Sequence, residues 1–189
     1  GVRPEIDKAD WIWNGETQST YVRKTFALDQ VPEQARLTVS AFSGFRDYVN
    51  GKKVGEEIGP WSNWRKPESY TITPFLRKGE NVVAVWAQLF AGQNVNKGPE
   101  AFASRGVVTA VKMRVADAAE LGFTTDASWR GGIEHVEGWE EPGFDAQRWA
   151  TAKVRGHMGD APWGLEVVNN IGAVTETKRP LSIELESPY

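Results

Sequence analysis

Two stretches of the sequence combine aromatic or amide side chains with charged ones at a spacing that suits sugar binding. The first is WSNWRK, which supplies Trp61, Asn63, Trp64, Arg65 and Lys66 within six residues. An aromatic ring can cover the apolar C–H face of a pyranose, while amide, guanidinium and ammonium groups bind its hydroxyl rim. Two roles stay open for Trp61 and Trp64, because such a ring either stacks on a ligand or caps the end of a core.

The second stretch is the polar segment AGQNVNKGPEAF, which supplies Gln93, Asn94 and Asn96. It belongs to a long connection between two predicted strands, and loops of this length in compact domains are often functional. We expect this loop and the WSNWRK loop to converge at one end of the fold. The predicted ligand-binding residues are therefore Trp61, Asn63, Trp64, Arg65, Lys66, Gln93, Asn94 and Asn96.

Residues that could catalyse a reaction are present, but their spacing does not suit catalysis. His135 and His157 are far apart and belong to no hydrolase or metalloprotease motif. Glycoside hydrolysis needs two carboxylates facing each other at about 5–9 Å. The acidic pairs Glu56–Glu57 and Glu140–Glu141 are sequence neighbours, whose side chains would point to opposite faces of a strand. We therefore predict that the domain is not an enzyme.

The bulk composition is that of one soluble globular domain. The chain has 189 residues, 40% of them hydrophobic, and a formal net charge of −3. No basic cluster of the kind that binds nucleic acid is present, and no apolar run approaches the roughly 20 residues of a membrane span. There is no cysteine, which excludes disulfides, thiolate nucleophiles and cysteine-ligated zinc. Nine tryptophans are an unusual number for one domain.

The hydrophobic pattern predicts an all-β protein. Residues 36–41 alternate apolar and polar side chains, which is typical of a half-buried strand. Asn50-Gly51 lies between two strand-like segments and predicts a tight hairpin. Residues 81–90 are apolar on both faces, which predicts a central strand. Further strands are predicted at residues 9–13, 21–28, 69–75 and 107–115, and a helical turn near residues 145–149. Regularly spaced short strands favour a β-sandwich or jelly roll.

The tryptophans outside WSNWRK fall into two groups. Five of them lie in strand-like segments and are predicted to pack in the core: Trp11, Trp13, Trp86, Trp129 and Trp149. Trp139 and Trp163 lie beside glycine and proline, and the sequence does not assign them to core or surface.

Several segments between Trp11 and Trp163 resemble a known family. They are YVRKTFAL, FRDYVNGKKVG, WSNWRKPESYTITPFLRKGENVVAVWA and TTDASWR followed by GWEEPGFDAQRWATA. This set resembles the galactose-binding-like β-sandwich domains of glycoside hydrolases, and most closely the amino-terminal domain of bacterial α-L-rhamnosidases. Two departures argue against transferring a preference for rhamnose: only residues 130–137 separate Trp129 from the GW pair, and Phe90 stands where the family has a tryptophan- or tyrosine-containing segment.

The resemblance implies a non-catalytic module that binds polysaccharide or oligosaccharide by aromatic stacking and polar loop contacts. Its partner would be a neighbouring catalytic domain in an exported bacterial protein, extracellular or periplasmic. The alternative is a structural scaffold domain that packs against that catalytic domain and binds no sugar. We expect residues 1–163 to form the sandwich, and residues 164–189 to be a further strand or a linker packed on the same domain.

The resemblance also implies a structural calcium ion as a candidate cofactor. Calcium needs about six to eight oxygen ligands, and the sequence has no DxDxDG loop. Asp126, Asp145 and Asp160 are isolated candidate ligands. Asp145 is better explained as the cap of a turn, with its carboxylate accepting a backbone N–H.

Overall fold

The chain folds into two antiparallel β-sheets packed face to face. The computed structural model describes residues 8–58, 64, 66–90, 104–116 and 120–163. Within them lie β1 (Asp10–Ile12), β2 (Ser19–Leu28), β3 (Gln34–Phe42), β4 (Gly44–Val49), β5 (Lys52–Glu57), β6 (Glu68–Thr71), β7 (Gly79–Gln88), β8 (Gly106–Arg114), β9 (Glu120–Thr124), β10 (Arg130–Gly132), β11 (Ala150–Thr151) and β12 (Val154–His157). A short 3-10 helix, Thr73–Phe75, follows β6.

The strand order separates the two sheets. Sheet I has the order β12-β1-β8-β3-β6, and β9 pairs with the second half of β8, from Ala110 to Arg114. Sheet II has the order β11-β10-β2-β7-β4-β5. The main core lies between them and takes Leu37 and Val39 from sheet I and Val83 and Val85 from sheet II, all fully buried. The predicted all-β sandwich is therefore confirmed.

The hairpin predicted at Asn50-Gly51 joins β4 to β5. Asn50 has φ = 50° and Gly51 has φ = 82°, so both central residues adopt the left-handed conformation that a two-residue turn of this twist requires. The Asn50 side chain donates to the Phe75 carbonyl and to Asn81 Oδ1, both at 2.8 Å. The turn is thereby tied to the segment that enters β7.

Gly51→Ala is expected to lower the free energy of unfolding by about 1–2 kcal/mol, because an L-residue is strained at this positive φ. The added β-carbon would also overlap the Glu141 carboxylate. Urea denaturation measures the effect. Gly143→Ala is the matched control, since Gly143 lacks a positive φ and has no atom within 4 Å of the added carbon. Equal effects of the two substitutions would contradict the strain argument.

The central strand predicted from residues 81–90 is β7, which lies between β2 and β4. Both of its faces are largely covered, as its apolar sequence indicates. The prediction for β3 is only half right. Its polar face was expected to meet solvent, yet Thr38 and Ser40 are buried. A second apolar cluster covers that face.

This second cluster, which we call the outer aromatic cluster, lies on the outer face of sheet I and contains Trp11, Phe42, Trp64 and Trp163. Trp163 stacks on Trp11 with ring centroids 5.0 Å apart and planes inclined by 8°. Trp64 meets Trp11 edge-on at 6.2 Å and Phe42 at 6.0 Å. Part of the outer face of sheet I is therefore buried from solvent, as the core between the sheets is.

One carboxyl group lies in the main core. Asp47 of β4 points inward between Phe45 and Val49 and is fully buried. Within the described part of the chain, neither carboxyl oxygen has a hydrogen-bond partner of good geometry. Burial raises the pKa of Asp47 to about 8, and the backbone N–H groups of Asp47 and Gly55 oppose this only in part. Burial, and next the neighbouring Asp47, raise the pKa of Tyr70 on the facing sheet.

Candidate functional site

The strand register brings the two predicted binding loops to one end of the sandwich. β5 ends at Glu57 and β7 at Gln88, and both pair with the start of β4. β6 begins at Glu68 and β8 at Gly106, and both pair with the second half of β3, which leads into β4. The β5–β6 and β7–β8 loops therefore start and finish at the same end. We call this the loop end.

Two of the predicted binding residues lie in the described part of the chain. Trp64 is only 8% exposed and belongs to the outer aromatic cluster. Of the two roles that the sequence left open for it, burial favours capping of the core. Lys66 is exposed. The other predicted residues, Trp61, Asn63, Arg65, Gln93, Asn94 and Asn96, lie outside the described residues.

A patch of partly exposed aromatic rings lies beside the loop end on the outer face of sheet II. We call it the aromatic platform and define it by Tyr21, Trp86 and Phe90. Trp86 was predicted to be a core residue, and this is wrong. It lies opposite Tyr21 and Arg46 on the outward face of β7 and belongs to neither apolar cluster. Phe90 meets the Trp86 ring edge-on at 6.3 Å.

Polar groups border the aromatic platform. The Arg46 guanidinium lies over the Trp86 ring, 5.2 Å from its centroid. Arg46 Nε donates to Glu56 Oε2 at 3.0 Å, and Lys53 Nζ forms an ion pair with the same oxygen at 3.4 Å. Ser19 Oγ donates to Gln88 Oε1 at 3.0 Å. A partly exposed indole therefore has guanidinium, carboxylate, amide and hydroxyl groups around it, which are the groups that bind a sugar rim.

A loop between β10 and β11 closes over the far side of the aromatic platform. Trp139 of this loop is 3% exposed and packs edge-on against Tyr21 at 5.0 Å and Tyr48 at 5.6 Å. Arg23 fastens the loop, because its Nη2 donates to the Glu141 carbonyl at 2.7 Å and its guanidinium lies 5.4 Å from the Phe144 ring centroid. Two buried side chains therefore hold the loop on the sheet: the Trp139 indole and the Arg23 guanidinium.

Trp149 also departs from prediction. It was expected in the core, but it is half-buried in this same loop, where it packs on Trp139 with centroids 6.4 Å apart. The predicted helical turn before it is a turn closed by the bond from the Trp149 N–H to the Ala146 carbonyl. Asp145 caps it as expected, accepting the Gln147 N–H at 3.0 Å.

A charged cluster stiffens the loop end next to the aromatic platform. The Glu16 carboxylate in the β1–β2 loop forms three ion pairs: its oxygens lie 2.8 Å from Arg105 Nη2, 3.0 Å from Arg155 Nη2 and 3.6 Å from Lys153 Nζ. The hydrogen bond from Arg155 is the main reason why the pKa of Glu16 is lowered. Arg105 and Arg155 also donate to backbone carbonyls of the loop, including Thr17 at 3.0 Å and Gly15 at 2.6 Å. The β1–β2 loop is thus held in one conformation.

The candidate calcium ligands do not meet. Asp126 accepts the Ser128 N–H at 2.8 Å, and Asp160 accepts the His157 N–H at 2.8 Å, so each caps its own turn as Asp145 does. Over the residues described, no three His, Asp or Glu side chains are placed to hold a metal ion.

The histidines occupy separate surface positions. His157 Nδ1 lies 2.5 Å from Asp10 Oδ1 across the β1–β12 pair, and this hydrogen bond raises the pKa of His157. His135 lies beside Tyr21, with ring centroids 6.1 Å apart. The His157–Asp10 pair bridges two strand ends on the exposed surface. The absence of an enzymatic activity stays a prediction.

The sequence could have identified Trp86 by one signal. In β7, Trp86 has the same parity as Gln88 and the opposite parity to Val83, Val85 and Ala87. Strict alternation therefore separates Trp86 from the core residues. The signal was obscured because Val82 and Ala84 make the outward face apolar as well.

Among the described residues, no helix is long and apolar enough to cross a membrane.

Two relatives resemble the chain over most of its length. The chain is 29% identical to an α-L-rhamnosidase of Streptomyces avermitilis over 98% of its own length and 18% of that protein. It is 22% identical to an α-L-rhamnosidase of Alteromonas sp. (strain LOR), over 80% of the chain and 21% of the relative. The chain thus spans about a fifth of the length of these relatives.

Solved structures share the fold. The crystal structure of the Streptomyces avermitilis α-L-rhamnosidase complexed with L-rhamnose matches with a TM-score of 0.71 and 27% identity, over 86% of this chain and 16% of that one. The apo form of a Pleurotus ostreatus lectin also gives a TM-score of 0.71 and 27% identity, over 85% of this chain and 45% of the lectin. The family model of the α-L-rhamnosidase N-terminal domain matches residues 30–135. This match covers more than half of a chain whose two sheets form a galactose-binding-like sandwich, and the chain belongs to the α-L-rhamnosidase N-terminal domain family.

Proposed function

We propose that this chain is a non-catalytic carbohydrate-binding domain of a longer, exported polysaccharide-degrading enzyme of the α-L-rhamnosidase type. Its glycan would bind at the loop end, across the aromatic platform and the β5–β6 and β7–β8 loops. The neighbouring catalytic domain would be its partner in the parent protein, and the location extracellular or periplasmic. Catalysis would belong to that other domain.

The observation that carries this proposal is the position of Trp86. A large indole that packs in neither apolar cluster and lies partly exposed among polar groups is better suited to a ligand than to fold stability. Arg46 is 44% exposed, and its two terminal nitrogens have no acceptor within the described residues, so they are available to sugar hydroxyls. The likeness to a lectin at 27% identity supports the same role.

The loops extend the aromatic platform in this proposal. The β7–β8 loop begins directly after Phe90 and carries Gln93, Asn94 and Asn96, whose amides would bind hydroxyl groups. The β5–β6 loop begins directly after the strand that holds Glu56 and carries Trp61, Asn63, Arg65 and Lys66. Trp64 would anchor that loop through the outer aromatic cluster. Such a shallow site binds a single oligosaccharide with a Kd on the order of 10 μM to 1 mM.

Trp86→Ala is expected to weaken glycan binding by about 5- to 30-fold, because it removes the stacking surface, which contributes roughly 1–2 kcal/mol. A panel of polysaccharides that includes rhamnose-containing ones, tested with calcium and with EDTA, would first identify a ligand. Isothermal titration calorimetry would then measure the affinity of wild type and variant for that ligand. Phe75→Ala is the matched control, since Phe75 is a half-buried ring at the opposite end of the sandwich. Unchanged affinity of a folded Trp86→Ala variant would remove the aromatic platform from the site.

One observation favours the scaffold alternative. Ile133 and Val136 lie in the β10–β11 loop beside the aromatic platform and are 51% and 42% exposed. Exposed apolar side chains that lie close together can mark a surface that binds another protein. Under this alternative the domain binds no member of the glycan panel, and Ile133→Ser with Val136→Ser weakens its co-purification with the catalytic domain. Glycan binding that is lost in Trp86→Ala would decide against it.

A further inference from the structure

A polar cleft of about 450 Å³ lies on the outer face of sheet I, at the end opposite the loop end. Its lining includes Arg36 of β3, Thr71 of β6, and Lys112 and Arg114 of β8. Arg36 is six residues from the end of β3 at the loop end, which is about 20 Å along a strand. The cleft is therefore separate from the aromatic platform.

The floor of the cleft places two like charges directly opposite each other. Arg36 pairs with Lys112 across the β3–β8 ladder, and both side chains point outward because their neighbours Ala35 and Met113 belong to the core. Like charges at directly opposed positions destabilise a sheet. A bound anion between them would remove that repulsion.

The charged groups around Arg36 leave it as the available cation. Lys112 is bound by Glu120 at 3.2 Å, and Arg114 lies 3.8 Å from Glu33. No hydrogen bond or ion pair to Arg36 is present within the part of the chain that the structure describes. Both acidic residues are more than half exposed, and Glu120 is part of the lining of the cleft whereas Glu33 is not. The guanidinium is thus free to bind a ligand.

Small neighbours leave room above this guanidinium. Thr71 lies opposite Arg36 on the β6 side, and Gly122 lies opposite Lys112 on the β9 side. Thr73 is held in place, since its Oγ1 accepts the Ala35 N–H at 2.9 Å. Among the described residues that line the cleft there is no aromatic ring, so recognition by them depends on charge and hydrogen bonds.

We propose that this cleft binds a hexuronate residue of an acidic glycan, with Arg36 as the ligand of its carboxylate. The planar guanidinium matches a carboxylate in bidentate fashion, while Glu120 already pairs with Lys112. The Thr71 hydroxyl and the Gln34 amide at the edge of the cleft supply partners for the ring hydroxyls. The volume is in the range of small-ligand sites. The inference rests on the proposed carbohydrate-binding function for the class of ligand only.

The test is a ¹H–¹⁵N NMR titration of the full chain with D-glucuronate and D-galacturonate, against D-glucose and D-galactose at equal ionic strength. We expect only the charged sugars to shift the Arg36 Nε–Hε signal and the Thr71 and Lys112 amides. Arg36→Gln should weaken the response of the two amides at least tenfold. Arg77→Gln, which removes the same charge from an exposed turn, should leave it unchanged.

Two results would overturn the proposal. One is that neither hexuronate shifts these signals more than its neutral sugar does. The other is that sodium sulfate gives the same shifts with the same affinity, which would mean a general anion site. The result is also separable from the aromatic platform: Trp86→Ala should leave cleft binding intact. A wild type that binds hexuronate in the cleft but no glycan at Trp86 would disprove only the aromatic platform.

Discussion

Asp47→Asn is expected to make the domain more stable than the wild type by about 4 kcal/mol at pH 7, and by almost nothing near pH 4. The reason is the environment of Asp47, which is fully buried between the sheets with its pKa raised to about 8. In the unfolded chain the same carboxyl group ionises near its ordinary pKa of about 4. Folding above pH 4 must therefore reprotonate it.

The direction of the pH effect follows from the protons bound in each state. Between about pH 4 and pH 8 the folded state holds one proton on Asp47 that the unfolded state has lost, so the contribution of this group falls by about 1.4 kcal/mol per pH unit. Above about pH 8 both states are ionised and the contribution is constant. Asparagine copies the neutral acid in shape and cannot ionise, so the difference between wild type and variant isolates this group.

Urea denaturation at pH 4, 5, 6, 7 and 8 measures the difference. Asp29→Asn, which replaces an exposed carboxyl group in the β2–β3 turn, is the matched control for the change from acid to amide. A stability difference for Asp47→Asn that does not change with pH would mean that Asp47 is ionised in the folded protein throughout this range, which would contradict its raised pKa.

Trp64→Ala should lower the free energy of unfolding by about 3–5 kcal/mol, as expected when a buried tryptophan is truncated. Trp64 is 8% exposed, packs against Trp11 and Phe42, and its carbonyl accepts the Ser40 hydroxyl. The truncation would leave a cavity over the outer face of β3. Thermal and urea denaturation give the size of the loss, and Trp64→Phe, which keeps an aromatic ring, should lose less.

The same variant separates the two roles of Trp64. At a temperature where Trp64→Ala is still folded, its glycan affinity should fall far less than that of Trp86→Ala. A variant that keeps wild-type stability but loses glycan binding would restore the stacking role considered for Trp64. Circular dichroism at the temperature of the titration provides the necessary check on folding.

Local signals in the sequence predicted the strands well. The Asn50-Gly51 hairpin needed only two residues, because their backbone angles alone fix the turn. The position of β7 followed from the apolar character of both its faces. Trp11, Trp13 and Trp129 are fully buried, as predicted from their strand-like surroundings.

Features that depend on long-range packing escaped prediction. Thr38 and Ser40 have polar side chains at outward positions, and residues distant in sequence help to bury them: Ser69 hydrogen-bonds Thr38, and the Trp64 carbonyl accepts the Ser40 hydroxyl. Trp86 and Trp149 were expected in the core, yet both are partly exposed. Composition and alternation describe a strand by itself, whereas exposure depends on which loop folds over it.

The predicted binding site shows the same division. The convergence of the β5–β6 and β7–β8 loops follows from strand order and register. The aromatic platform needed the cross-strand pairing of Trp86 with Tyr21 and Arg46, which no property of a single segment reveals. The packing of residues 164–189 lies outside the described residues and stays a prediction.

The pairing of β1 with β12 gives the domain a particular mechanical character. Asp10 lies opposite His157, and Trp163 stacks on Trp11, so the first and the last strand in the described residues lie side by side. Tension applied across residues 8 and 163 would peel this antiparallel pair open one rung at a time, instead of shearing all its hydrogen bonds together. Under such load, the β1–β12 pair would yield before the main core between the two sheets.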